Sequence, residues 1–218
     1  MGSTEEKLAD ARQSMVEHQL RRRGIRNQAL LDAFSSIPRE VFLPDDLYDE
    51  AYEDRPVSIG MGQTISQPYV TALMVQHLDL QPAHRVLDVG LGSGYQDAIL
   101  ARLSRHVYAI ERIEELTERA MGVLARLEVR NITICTGDGS LGWPEEAPFD
   151  RIICGAAAPD IPQPWIDQLG EGGRIVAPIG GPDVQTVVVV QKENGKVRRQ
   201  QVCDVRFVKL IGRKGWPS

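Results

Sequence analysis

From residue 84 onward the chain alternates short β-branched runs with helical stretches, a pattern satisfied by βαβ units wound around a parallel sheet. The runs are 84–89, 106–110, 131–136, 151–154 and 173–177, with helical stretches at about 94–104, 112–128 and 161–169. Beyond residue 180 two longer strands are predicted, 184–193 and 197–211, joined across Glu193-Asn-Gly-Lys196, whose Asn-Gly pair is a strong hairpin signal. The fold class that follows is α/β and Rossmann-like: a mostly parallel, doubly wound sheet with an antiparallel C-terminal edge.

Ahead of this core, Leu8, Ala11, Met15, Val16 and Leu20 recur near a 3.6-residue spacing and predict one amphipathic helix over 5–23, stopped by Arg21-Arg-Arg-Gly24. The three arginines fit the negative end of that helix dipole better than a nucleic-acid patch. A second helix is predicted over Gln28–Ser36, ending before Ile37-Pro38. Residues 39–65 are rich in Pro, Asp, Tyr and Gly and are expected to form an irregular segment laid over the main domain. With 218 residues there is room for one core with an appendage. The expected division is a single domain, with an N-terminal extension over about 1–65, a cofactor-binding core over about 66–183 and C-terminal antiparallel strands over about 184–218.

Charge and composition exclude several classes of function. Against 30 acidic residues stand 25 Lys and Arg, a net charge of −5, so no positive field exists to hold a nucleic acid. The longest apolar stretch, Thr186-Val-Val-Val-Val190, is far short of the roughly 20 residues that cross a bilayer. Met1–Lys7 shows neither an export signal nor a myristoylation pattern. Cys135, Cys154 and Cys203 lie in apolar stretches without CxxC spacing, as reduced thiols of a cytoplasmic protein do. His18, His77, His84 and His106 are dispersed, without a metal-binding pair, so no metal is expected. A monomer is the expected state.

The chemistry is carried by strand ends. The first run leads into Asp88-Val-Gly-Leu-Gly-Ser-Gly94, a turn in which Gly90, Gly92, Ser93 and Gly94 let a ligand approach the backbone. A dinucleotide fingerprint needs glycine at its sixth position, where this chain has Tyr95. The spacing therefore suits a nucleoside without a pyrophosphate, and disfavours a nicotinamide cofactor, with Asp88 available to a cationic or amine-bearing group. The second run ends at Glu111, beside Arg112, where a carboxylate can accept both ribose hydroxyls. The third ends in Asp138-Gly139, again where ligands gather in open α/β sheets. Glu111 and Asp138 have an alternative role as N-caps of the segments that follow.

These three strand ends resemble the S-adenosylmethionine site of class I methyltransferases. The resemblance implies that the glycine turn meets the amino-acid end, Glu111 the ribose, and Asp138 with Gly139 the adenine. Further segments are similar to protein-L-isoaspartate O-methyltransferases: Met15–Ile25, Ile37–Phe42, Gly62-Gln-Thr-Ile-Ser66-Gln-Pro, 137–150, 155–159 and Val205–Gly212, nearly the whole chain. The family methylates the α-carboxylate exposed when an aspartyl or asparaginyl residue of an ageing protein rearranges to an L-isoaspartyl residue. The ester then collapses to a succinimide, whose hydrolysis returns some normal aspartate. A carboxylate with a pKa of about 3.5 needs no catalytic base, so alignment and desolvation should dominate. By this resemblance Ser66 lies beside the reacting centre as the catalytic residue, while Gln63, Thr64 and Ile65 of the same loop, Arg112, and Gln185, the glutamine after the fifth strand, are cofactor-binding residues. Ser66 has an alternative role as the cap of a helix opening at Gln67-Pro68, and Gln185 as an ordinary polar residue at a strand start.

The chain departs from the family pattern at Leu91, Asp97 and Lys209, where a small hydroxyl residue, alanine and proline are usual. Trp143, Phe149 and Cys154 are expected to serve packing, and His77 and His106 to be structural. Two other functions stay open from sequence: methyl transfer to a small carboxylic acid or natural-product intermediate, and an inactive cofactor-binding adaptor.

Overall fold

The computed structural model describes residues 3–217; Met1, Gly2 and Ser218 lie outside them, and with them the start of the 1–7 stretch. Helix α1 (Thr4–Ser14) opens on a reciprocal cap: the Glu6 amide donates to the Ser3 hydroxyl at 3.2 Å, and the Ser3 amide to the Glu6 carboxylate at 2.7 Å. The single regular helix predicted over 5–23 changes pitch instead, to a π-helical turn over Met15–Leu20 and a 3-10 turn over Arg21–Arg23, ended by Gly24 at φ +96°. The cause is burial. No residue of α1 is buried, whereas Met15, Val16 and Leu20 are core residues that the wider turn brings to one face. The arginines find carboxylates: Arg21 and Arg22 pair with Glu17, and Arg23 pairs with Asp54 while lying 3.5 Å from the Tyr69 ring centroid. Helix α2 (Gln28–Ser36) is capped by Asn27, whose side chain accepts from the Leu30 amide at 3.0 Å.

Residues 39–65 are more ordered than expected. They hold 3-10 turns at Glu40–Phe42 and Asp45–Glu50 and a hairpin of β1 (Val57–Gly60) and β2 (Gln63–Ile65). Val57, Ile59 and Ile65 point into the core while Ser58, Gly60 and Thr64 face out. The alternation was present in the sequence but is too short to stand out from its polar surroundings.

Helix α3 (Pro68–Leu78) leads into the main sheet, built from β3 (Arg85–Val89), α4 (Tyr95–Leu103), β4 (His106–Glu111), α5 (Glu114–Arg126), β5 (Ile132–Thr136), β6 (Phe149–Cys154), α6 (Gln163–Gln168), β7 (Leu169–Gly180), β8 (Gln185–Glu193) and β9 (Lys196–Val205). The order is β5-β4-β3-β6-β7-β8-β9; the first five are parallel, and β8 and β9 each run antiparallel to the neighbour before. Alternate residues feed two cores. Val86, Val107 and Val176 pack with the N-terminal segment and α3–α5, while Leu87, Ile152 and Ile175 pack with Trp165 of α6. Phe149 and Cys154 belong to the second core, and Trp143 packs at its margin, edge-on to Tyr108. The last strand stops at Val205 rather than 211 because the buried Gln185 side chain accepts from the Phe207 amide at 2.9 Å and draws the chain out of the sheet. No helix among the described residues is long and apolar enough to cross a membrane.

Candidate active site

β3, β4 and β5 run parallel in register, with Val89 opposite Ile110 and Glu111 opposite Thr136, so the glycine turn, Glu111 and Gly137-Asp138-Gly139 leave the sheet along one edge. The turn is anchored where the Gly90 amide donates to the Ile110 carbonyl at 2.8 Å. Gly94 closes it at φ +87°, and a Cβ there would come within 3.2 Å of Ala120, so both the backbone and the seat of α5 require glycine. Glu111 is pinned across the turn: one oxygen accepts from the Gly92 amide at 3.0 Å, the other from the Arg112 and Ile113 amides at 2.8 and 3.0 Å. It does not cap α5, which begins beyond Ile113 without a side-chain cap.

The resulting cleft is lined by Gly90, Gly92, Glu111, Arg112 and Gly139, with Gln63 and Thr64 on a second side and residues 208–211 on a third. Its floor admits no side chain at Gly139, where a Cβ would lie 2.6 Å from Val89. Thr64, Gly155 and Val208 also line a second cleft, which holds Ser66, Asp204 and Phe207. Ser66 is not the helix cap: that position is Gln67, which makes no capping bond, and Pro68 follows. The Ser66 hydroxyl makes no hydrogen bond to another described residue, while its carbonyl accepts from Arg39 Nη2 at 2.8 Å.

Other expected site residues lie elsewhere. Asp88 is fully buried beneath the turn, where both its oxygens accept from the Gln96 amide at 3.0 and 2.9 Å; it does not face the cleft as an open partner for a cation. Burial raises its pKa, as it does that of the equally buried Asp97. Asp138 does cap its turn, accepting from the Ser140 amide at 3.0 Å, and its other oxygen accepts from the Arg213 amide at 2.8 Å. Burial alone would raise its pKa; the donors from Arg213 and Ser140 outweigh that and hold it below the ordinary carboxylate range. Gln185 joins the Gly181 carbonyl (2.7 Å) to the Phe207 amide and supports the second cleft from behind. Ile65 is core, and Ser93 accepts from the Tyr95 amide at 3.3 Å on the far side of the turn. There a wider hollow of about 540 Å³ opens beside Phe42 and Arg126, away from the strand-end acids.

The resemblance puts the strand of Lys209 beside the peptide-binding edge; in the structure residues 208–211, with Gly155, which sequence reasoning did not assign, wall the first cleft. Lys209, the proline replacement, belongs to this wall, its ammonium 5.5 Å from the Trp216 ring centroid. Arg39 was missed too, since one arginine after a proline carries no signal of burial. No group of three or more His, Cys, Asp or Glu side chains among the described residues is placed to hold a metal ion.

A sequence model of the family described as protein-L-isoaspartate(D-aspartate) O-methyltransferase matches residues 10–215. A protein-L-isoaspartate O-methyltransferase of Methanoculleus marisnigri is 50% identical over 205 residues, covering 94% of this chain and 93% of the relative. One from Desulfosudis oleivorans is 47% identical over 216 residues, covering 99% and 98%. Among solved structures, a protein-L-isoaspartate O-methyltransferase superposes with a TM-score of 0.84 at 29% identity, over 94% of this chain and 67% of that one. A candidate protein-L-isoaspartate O-methyltransferase from Plasmodium falciparum, in complex with S-adenosyl-L-homocysteine, gives 0.81 at 30% identity, over 92% and 98%.

Proposed function

The chain belongs to the protein-L-isoaspartate(D-aspartate) O-methyltransferase family, and on that premise we propose how its two clefts divide the reaction. It is a repair methyltransferase that uses S-adenosylmethionine to esterify the free α-carboxylate of L-isoaspartyl residues in damaged proteins and peptides. The observation that carries the division is the wall of Thr64, Gly155 and Val208, common to the glycine-turn cleft and the Ser66 cleft. The first cleft takes the cofactor and the second the isoaspartyl carboxylate.

The donor set fits S-adenosylmethionine. The glycine turn and Gly139 leave a floor of backbone, and Glu111 supplies a carboxylate in the position that ribose hydroxyls need. The cofactor contributes an electrophilic methyl on a sulfonium centre. Gln63, Thr64, Gly90, Gly92, Arg112 and Gly139 enclose it, and Asp88, Ser93, Gly94 and Ile65 hold the turn and loop from behind. Asp138 acts by holding the turn that carries Gly139, through the Ser140 and Arg213 amides, and Gln185 by fixing Phe207. The first cleft has only about 60 Å³ of free space, against the 300 Å³ or more usual for ligand pockets, so it widens when the cofactor enters.

On the acceptor side, Ser66 donates its free hydroxyl to one carboxylate oxygen and aims the other at the methyl carbon. A carbon–oxygen bond forms as the carbon–sulfur bond breaks, giving a methyl ester and S-adenosylhomocysteine without a proton transfer. Positioning and exclusion of water supply the rate.

The enzyme works in the cytoplasm as a monomer. Three unpaired thiols support the compartment, and the exposed Arg198 and Arg199 on edge strand β9 discourage strand pairing with a second copy. The test uses methyl-labelled S-adenosylmethionine with two peptides that differ only in an L-isoaspartyl or a normal aspartyl residue, followed by mild base. Base-labile label on the isoaspartyl peptide alone supports the assignment; label on neither, with the cofactor still bound, overturns it.

A further inference from the structure

Arg39 touches neither cleft, yet it is fully buried and held by carbonyls and a ring rather than by a carboxylate. Its Nε donates to the Ala51 carbonyl at 2.7 Å and its Nη2 to the Ser66 carbonyl at 2.8 Å. The guanidinium carbon lies 5.0 Å from the Tyr95 ring centroid, and Nη1 is buried without a partner. Burial brings its pKa down to about 10, so it stays charged at neutral pH. A charge kept in a core with one donor unused costs stability that an apolar side chain of similar volume does not, which sets it apart from a packing residue.

What the bond to Ser66 accomplishes follows from what Ser66 lacks. Its hydroxyl bonds no described residue and it caps no helix, so no bond of its own holds the side chain and its placing depends on the backbone that carries it. That backbone is fixed by Arg39. The same guanidinium lies against Tyr95, the residue directly after Gly94, so one side chain spans the acceptor serine and the glycine turn. We infer that Arg39 is a positioning residue for methyl transfer, setting the place of Ser66 relative to the cofactor turn without touching either substrate.

This inference rests on the functional assignment above, and the experiment separates the two. Wild type, Arg39→Lys and Tyr52→Phe are assayed together on an L-isoaspartyl peptide, with the affinity for S-adenosylhomocysteine and the thermal midpoint measured for each. Lysine keeps the charge but loses the planar fork that serves two carbonyls at once. The expected result for Arg39→Lys is a kcat lowered about tenfold or more, with S-adenosylhomocysteine affinity within about threefold of wild type. Tyr52→Phe removes a hydroxyl that accepts from the Arg39 amide at 3.2 Å and leaves the guanidinium alone; it lowers the thermal midpoint and keeps kcat. A wild-type kcat in Arg39→Lys, or equal loss of kcat and cofactor affinity, overturns the inference. If Arg39→Lys does not fold, Tyr95→Leu takes its place, with the same fall in kcat expected and an unchanged kcat overturning the inference. Failure of the wild type itself on the isoaspartyl peptide strikes the functional assignment instead.

Discussion

Asp97 lies against Asp88 beneath the glycine turn, and neither carboxyl group reaches solvent. The Gln96 amide gives its hydrogen bonds to Asp88, and no well-formed hydrogen bond reaches either Asp97 oxygen. Burial, then the charge of its neighbour, raises Asp97 well above an ordinary aspartate. Such a group holds a proton that the unfolded chain has released, so the protein loses stability as pH rises from about 4 through the folded-state value. Asp97→Asn removes that loss. The variant should be more stable than wild type by roughly 1–3 kcal/mol at pH 8 and nearly equal at pH 4. Thermal midpoints across that range check it; curves that stay parallel would contradict it.

Ser66→Ala removes the hydroxyl assigned to aim the acceptor. Methyl transfer should fall about 10- to 100-fold, with S-adenosylhomocysteine affinity little changed. Single-turnover kinetics and calorimetry on the same preparation measure both, and equal losses would place the loop's main role in the cofactor cleft.

Glu111→Ala should do the reverse. It takes a charged acceptor from the proposed ribose position and frees the Gly92 amide, so cofactor affinity should weaken by about 10- to 100-fold, as charge-assisted bonds are worth about 1.5–3 kcal/mol. An unaltered calorimetric dissociation constant would remove Glu111 from the ribose.

Gln185→Ala leaves the Phe207 amide and the Gly181 carbonyl without their partner. A stability loss of about 1–3 kcal/mol is expected. Because Phe207 lines the Ser66 cleft, KM for the isoaspartyl peptide should rise while cofactor affinity holds. If cofactor affinity fell instead, Gln185 would act on the first cleft.

Much of this fold was legible because it is built from local signals. Gly94, Pro68 and the Asn194-Gly195 hairpin each mark an element boundary through backbone geometry that the sequence displays. The strand-end position of Glu111 was legible for the same reason, since a parallel sheet brings successive C-terminal ends to one edge. What escaped depends on distant partners. Asp88 and Glu111 are both buried acids at parallel strand ends, and only the packing of Gln96 and Asp97 over Asp88 keeps that one out of the cleft that Glu111 lines. Asp138 reads as a ligand group until Arg213, 75 residues later, supplies the amide that occupies it. Arg39 shows no pattern at all until Ala51, Ser66 and Tyr95 are folded around it.

The wall between the two clefts is thin because Gly155 has no side chain; a Cβ there would stand 3.1 Å from the Gly90 carbonyl oxygen. For inhibitor chemistry this makes residue 155 a bridging point. On the proposed division of the clefts, an adenosine fragment joined by a short tether to a carboxylic acid would occupy both sides as one molecule, with the second half binding at the high effective concentration set by the tether. Selectivity over other methyltransferases would come from the carboxylic-acid half, because the strand-end site proposed for the adenosine half resembles that of class I methyltransferases at large.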